Sequence, residues 1–181
     1  ESRRVIADDF QGARIATGHL IDKGCRRILH LAGPSHLLIG KNRKEGYIMA
    51  LKERDLLVDE SLIYKCDTRE DVFLNGDKIL SLAADIDGVF TVNDSTAIAV
   101  MQLLQRNGYR IPQDIAVIGF GDGPNATIAY PSLSTVEQKG YEIGQEAMRM
   151  LSVQIETGLV EVAFETRIFT PVLHPRESTM R

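Results

Sequence analysis

Apolar positions along this chain recur with two alternating periods. Between Gln11 and Lys23, the residues Ala13, Ala16, Leu20 and Ile21 fall on one helical face, and Gly24 stops the run. Arg27 to Ala32 is a short apolar run closed by Gly33 and Pro34, the pattern of a buried strand. A loop then leads to a predicted helix from about Asn42 to Arg54, with Tyr47, Ala50 and Leu51 facing inward. Leu62 to Cys66 predicts the next strand, Val72 to Ala84 a helix, and Gly88 to Val92 another strand. Asp94 or Ser95 suits the cap of a helix that runs to Asn107 and stops at Gly108. Ile115 to Phe120 is the most strand-like run, followed by a glycine-rich loop from Gly121 to Asn125. Ser134 to Val136 reads as a brief extended piece. Tyr141 to Glu156 places Ile143, Ala147, Met150, Leu151 and Ile155 at helical spacing, and Val162 to Val172 alternates like a strand near a sheet edge.

Strands separated by helices imply βαβ crossovers, hence an α/β fold with a parallel sheet covered by helices on both faces. Ligands of such sheets sit outside the carboxyl ends of the strands. The segments that carry function are therefore expected at Gly33 to Arg43, Asp67 to Asp71, Asn93 and Asp94, and Gly121 to Asn125.

Composition narrows the picture only a little. The 181 residues are 44% hydrophobic and 25% charged, which is ordinary globular usage. A formal net charge of -4, with no run of Lys and Arg longer than a pair such as Arg26-Arg27, argues against direct contact with nucleic acid. Cys25 and Cys66 lack a CxxC partner or a His at metal-ligand spacing, so they read as small apolar residues in a reduced, cytoplasmic compartment. No apolar run approaches a membrane span, and the first residues, Glu1 to Arg4, contain no signal-peptide stretch. The chain opens on Arg4 to Ala7, a strand-like fragment with no partner strand ahead of it.

Several residues could carry chemistry, each with a plainer alternative. Arg43 opens a helix after a loop at a strand's carboxyl end. Its planar fork suits two hydroxyls or a carboxylate, and it is equally a surface arginine. Asn93 follows a strand and can both donate and accept, as a sugar hydroxyl pair requires, while Asp94 reads more simply as a helix cap. Asp122 is either a turn former or an acceptor for hydroxyls. Gly119-x-Gly121-x-Gly123 falls short of a dinucleotide loop, because its third glycine comes one place early and Pro124 follows. GxSxG, phosphate-loop and HExxH motifs are absent, and His19, His30, His36 and His174 pair with no nucleophile in sequence. Neither enzyme chemistry nor a cofactor is implied.

The ordered series of segments resembles one family. His19-Leu20-Ile21-x-x-Gly24-x-Arg26-Arg27-Ile28 and Leu31-Ala32-Gly33-Pro34 look like the crossover into the second lobe of LacI-type transcription regulators. Arg43-x-x-Gly46-Tyr47-x-x-Ala50-Leu51 and Val89-Phe90-x-x-Asn93-Asp94-x-x-Ala97 match the next family blocks. Gly108-x-x-Ile111-Pro112-x-Asp114-Ile115 through Phe120, Pro131-x-Leu133-x-Thr135-Val136-x-Gln138 and Gly144 complete the order. Each block alone is weak; the series spans nearly the whole chain.

The resemblance implies a two-lobed periplasmic-binding-protein-like fold whose cleft holds a small effector. The carboxyl-terminal lobe would be complete and the amino-terminal lobe partial. Residues 1–23 would belong to the amino-terminal lobe, 24–133 to the carboxyl-terminal lobe, 134–160 to the return, and 161–181 to a terminal strand and tail. The helix-turn-helix headpiece of the family would lie outside this chain. By position, Arg43 and Asn93 correspond to effector-contacting residues, and Asp8 to a cleft position. Where the family commonly has an aspartate after Gly119-Phe120, this chain has Gly121, with Asp122 one place later. That departure favours an effector bearing its own carboxylate or phosphate against Arg43 and Lys41. The effector class implied is a sugar, sugar acid or sugar phosphate. The partners implied are a second copy of the chain, with candidate contacts near Ile128 and Tyr130 and on the Met148/Val153 side of the last helix, and operator DNA reached only through the headpiece. A secreted sugar-binding protein of a transporter shares the lobes and is the rival reading.

Overall fold

The structure, a computed structural model, describes residues 3–157 and 165–181. In chain order its elements are β1 (Arg4–Ala7), α1 (Asp9–Asp22), β2 (Ile28–Ala32), α2 (Leu38–Lys52), β3 (Ile63–Lys65), α3 (Arg69–Leu74), α4 (Gly76–Ala83), β4 (Gly88–Thr91), α5 (Asp94–Arg106), β5 (Ala116–Ile118), α6 (Asn125–Ile128), β6 (Thr135–Glu137), α7 (Gly140–Thr157), β7 (Thr166–Phe169) and β8 (Val172–His174). One-turn 3-10 helices cover Glu60–Leu62 and Glu177–Thr179.

The larger unit is a parallel sheet in the order β3-β2-β4-β5, with β2 central and buried at all five positions. Two-residue periodicity divides each strand between two cores. Leu29, Leu31, Val89 and Val117 face Val72 of α3, Ile79 and Ala83 of α4, and Ala97, Val100, Met101 and Leu104 of α5. Ile28, Phe90, Ala116 and Ile118 face Ala13, Ala16 and Leu20 of α1 and Tyr47, Ala50 and Leu51 of α2. Each fully buried Leu or Ile contributes roughly 1.5–3 kcal/mol, so this inward alternation fixes the strand register. The expectation of an α/β layer with helices on both faces is met.

Close packing of α1 on α2 depends on Gly46. A Cβ there would run into the Phe10 carbonyl oxygen and lie 2.9 Å from the Ala13 Cβ, so no larger residue fits without moving backbone.

The smaller unit is β1 paired in parallel with β7, with Arg4 opposite Thr166, and α7 lies against it, where the Arg3 guanidinium donates to the Met150 carbonyl. β6 pairs antiparallel with β8 and runs beside the extension of β5, where Gly119 N–H donates to Ser134 O and Gly121 N–H to Val136 O. The closing residues return to the larger unit. Ser178 Oγ donates to Val117 O, Arg176 Nη1 donates to Leu133 O, and Arg181 donates to Pro112 O and Asp114 O.

Three expectations need correction. Residues 1–23 are expected in one lobe, yet the packing splits them: β1 joins the smaller unit, whereas the apolar stripe of α1 is buried on the larger sheet. Likewise, residues 134–137 stay beside β5, and the tail from Val172 onward packs on the larger unit rather than forming one strand. Residues 162–164 of the expected edge strand lie outside the described residues, and its described part contains β7 and ends on the first residue of β8. The single helix expected from Val72 to Ala84 is broken at Asn75, whose side chain donates to the Asp71 carbonyl and accepts from the Tyr64 hydroxyl. Such local side-chain bonds compete with helix continuation.

Candidate functional site

The carboxyl ends of the strands converge on Arg43. Gly40, Arg43, Gly46, Tyr47, Ala50 and Leu51 form the buried face of α2, so helical spacing, rather than exposure, directs Arg43 inward. Its guanidinium donates through Nε and Nη2 to Asp9 Oδ1, at 2.9 and 2.6 Å, and through Nη1 to the Val92 carbonyl at the end of β4. Its Cζ lies 3.7 Å from the centre of the Phe120 ring. Burial works against the charge of Arg43 and lowers its pKa, whereas Asp9 beside it and Asp94 beyond work the other way. Three of its five donor hydrogens are thereby engaged inside the protein. The arginine is a buried member of an ion pair, not a surface residue.

Asn93 caps α5. Its Oδ1 accepts from Thr96 N–H at 2.9 Å, and its Nδ2 donates to the Asp67 carbonyl at 2.7 Å. The cap expected at Asp94 or Ser95 is therefore supplied one residue earlier. Asp94 turns inward: its Oδ1 accepts from the Thr135 hydroxyl at 2.5 Å and its Oδ2 from Gly123 N–H at 3.0 Å. Burial raises its pKa, with Thr135 and Gly123 opposing. The Gly119-x-Gly121-x-Gly123 pattern now has a reason, since a Cβ on Gly119 would overlap Asp94 Oδ1. Gly119 makes room for a buried carboxylate.

Asp122 adopts φ 56, and its Oδ1 accepts from Arg176 Nη2 at 2.7 Å, with His174 Nε2 3.8 Å from its other oxygen. It is thus committed to the closing segment of the chain. Asp8 caps α1 by accepting from Gln11 N–H at 2.9 Å. Lys41 lies on the exposed side of α2, 4.0 Å from Glu45. Of the residues singled out by sequence, Arg43 and Asn93 thus lie together around the end of β4. Asp8, Lys41 and Asp122 have bonds that lead elsewhere.

Sequence patterning does not single out Asp9 or Phe120. The signal for Asp9 was the Asp-Asp step between β1 and α1: the first aspartate caps the helix, and the second, in its first turn, reaches α2. Among the described residues, Asp9 Oδ2 has no protein partner, and no group of three His, Cys, Asp or Glu is placed to hold a metal ion. A carboxylate that accepts beside a guanidinium that donates is suited to polyhydroxylated ligands, because each hydroxyl both gives and takes a hydrogen bond.

Residues 17–179 match the family model of the periplasmic binding protein-like domain. The chain is 34% identical over 168 residues to the HTH-type transcriptional regulator CelR of Thermobifida fusca, covering 91% of this chain and 49% of that protein. It is 33% identical over 153 residues to the ribose operon repressor of Halalkalibacterium halodurans, covering 84% of this chain and 45% of that protein. The chain spans about half the length of the curated relatives it matches. Among solved structures, a transcriptional regulator CelR–cellobiose complex superposes with a TM-score of 0.90 at 32% identity, over 98% of this chain and 54% of that one. A periplasmic binding protein/LacI transcriptional regulator from Alkaliphilus metalliredigens complexed with D-xylulofuranose gives 0.87 at 29% identity, over 99% of this chain and 66% of that one.

Proposed function

This chain belongs to the periplasmic-binding-protein-like family, among regulators of the LacI type, and on that premise we propose that it is the effector-sensing part of a DNA-binding transcriptional regulator. The observation that carries the reading is the cluster of Asp9, Arg43 and Asn93 at the carboxyl ends of parallel strands, where this sheet type binds ligands. The effector is a sugar or a sugar derivative. Arg43 and Asn93 contact it.

The larger unit acts as the carboxyl-terminal lobe, and β1, β7 and α7 as part of the amino-terminal lobe. An effector bridging the two stabilises one arrangement through its differential affinity, and that arrangement sets the spacing of two DNA-reading headpieces carried elsewhere in the protein. Two half-sites call for a two-fold pair of chains. Ile128 and Tyr130, 79% and 87% exposed, are candidate contacts of that pair, as are Met148 and Val153 on α7. The regulator works in the cytoplasm, a reading supported by the curated relatives named above, which are a transcriptional regulator and an operon repressor rather than a transporter's secreted binding protein. Among the described residues no helix is long and apolar enough to cross a membrane.

The test is a thermal-shift screen of the intact protein against sugars, sugar acids and sugar phosphates, because a ligand that binds only the native state raises its melting temperature. A shift that disappears in a folded Arg43→Lys variant supports the site. A shift that survives in that variant places the effector elsewhere.

A further inference from the structure

An effector site built on a free arginine attracts anions; this arginine is not free. Arg43 gives two of its N–H groups to a single oxygen of Asp9, and its side chain is only 4% exposed, whereas that of Asp9 is 16% exposed. Several other basic side chains around the carboxyl edge also lie near carboxylates, whereas Arg69 sits over the Phe73 ring with no ion pair among the described residues. Arg176 is held by Asp122, Lys65 by Asp67 and Asp71, Lys41 lies near Glu45, and His174 lies 3.0 Å from Glu137. Asp94 adds a further carboxyl group behind Gly121 and Gly123 with no basic side chain bonded to it among the described residues. Beside Arg43 itself, the charged partner is the carboxylate of Asp9.

We propose that Asp9 is the specificity-determining residue of this site: it supplies the hydroxyl acceptor that Gly121 lacks and selects a neutral polyol over its acidic or phosphorylated forms. The proposal rests on the reading of Arg43 as an effector contact. Chemically, the side-by-side pair forms a clamp for two adjacent hydroxyls. Asp9 Oδ2, which has no protein partner among the described residues, accepts from one hydroxyl. An N–H of Arg43 left over from Asp9 and Val92 donates to its neighbour. A ligand carboxylate or phosphate brought to the same place would meet Asp9 as a like charge and would compete with it for a fork already engaged, and such juxtaposition at a desolvated contact is strongly unfavourable. This reverses the anionic preference expected from Gly121 alone. The expectation counted the cations Arg43 and Lys41 but not the aspartate that neutralises the first.

The test measures binding of matched pairs to the intact protein by calorimetry, using cellobiose with cellobionate, D-ribose with ribose 5-phosphate, and D-glucose with gluconate. Any pair with a measurable affinity should favour the neutral member by about tenfold or more. Asp9→Asn keeps an acceptor oxygen for Arg43 while removing the charge, so the variant should lose most of that discrimination and bind the acid or phosphate more tightly than the parent does. Tighter binding of the anionic member by the parent protein overturns the proposal, as does failure of every neutral sugar to bind at millimolar concentration. Unchanged discrimination in Asp9→Asn overturns it too. If binding and discrimination both persist in a folded Arg43→Lys variant, the failure lies in the placement of the site rather than in the role of Asp9.

Discussion

The Thr135 hydroxyl donates a 2.5 Å hydrogen bond to the buried carboxyl group of Asp94, joining the start of α5 to a strand that follows it by some forty residues. Thr135→Val should destabilise the fold by about 1–3 kcal/mol, the usual result of leaving a buried acceptor short of a donor. The pH dependence has a definite sign. Burial raises the Asp94 pKa, so the stability associated with its protonated form is present at acid pH and is lost as pH rises through the raised value. Asp94→Asn imitates the protonated form. Its stability relative to the parent should therefore improve between acid and neutral pH in urea titrations, and a constant difference would refute the assignment.

His30 behaves in the opposite sense. It is wholly buried, stacked 4.7 Å from the Phe90 ring and 5.0 Å from the Tyr47 ring, with Nδ1 3.1 Å from the Phe90 carbonyl. Desolvation lowers its pKa from 6.5 to about 4. The stability that follows from its neutral form is complete above the ordinary histidine value and is lost as pH falls from 6.5 through about 4. At about 1.4 kcal/mol per unit, that interval amounts to on the order of 3 kcal/mol. Chemical denaturation across this range should show the loss in the parent and a flatter acid limb in His30→Leu.

Two glycine-to-alanine exchanges should move stability in opposite directions. Gly18, on α1, has nothing within 4 Å of an added Cβ, so Gly18→Ala should stabilise by roughly 0.5–1 kcal/mol through helix propensity. Gly46→Ala puts its methyl against the backbone of α1 and should cost about 1–3 kcal/mol despite the same propensity gain. Thermal unfolding of the two variants side by side decides it.

Asn93 has two separable duties. Asn93→Ala removes the cap of α5 and the bond to Asp67, and should cost about 1–2 kcal/mol. Asn93→Ser restores a capping oxygen but not the amide donor, so it should recover most of the stability without recovering ligand affinity. Equal recovery of both would mean that the amide contributes nothing beyond the cap.

Much of the fold was legible because burial repeats. The two-residue alternation of Ile28 to Leu31 and the stripes of α1 and α2 state which faces are covered. What sequence could not separate were neighbours with similar chemistry. Asn93 and Asp94 both suit a cap, and only the close approach of Gly119 and the bonds from Thr135 and Gly123 show that the aspartate is drawn inward instead. Arg43 was legible as a position, not as half of an ion pair, because its counterion lies thirty-four residues earlier and no local pattern links the two. The split of residues 1–23 was illegible for a related reason: an apolar stripe states that a helix is buried, not against which sheet.

The seating of α1 on α2 at Gly46 also has a mechanical corollary. A shaft keyed into its neighbour is held in its rotation about its own axis, and that rotation is what aims Asp9 at Arg43. The chain leaves β1 for the larger unit at Ala7 and Asp8, immediately ahead of that carboxylate, so the ion pair belongs wholly to the larger unit.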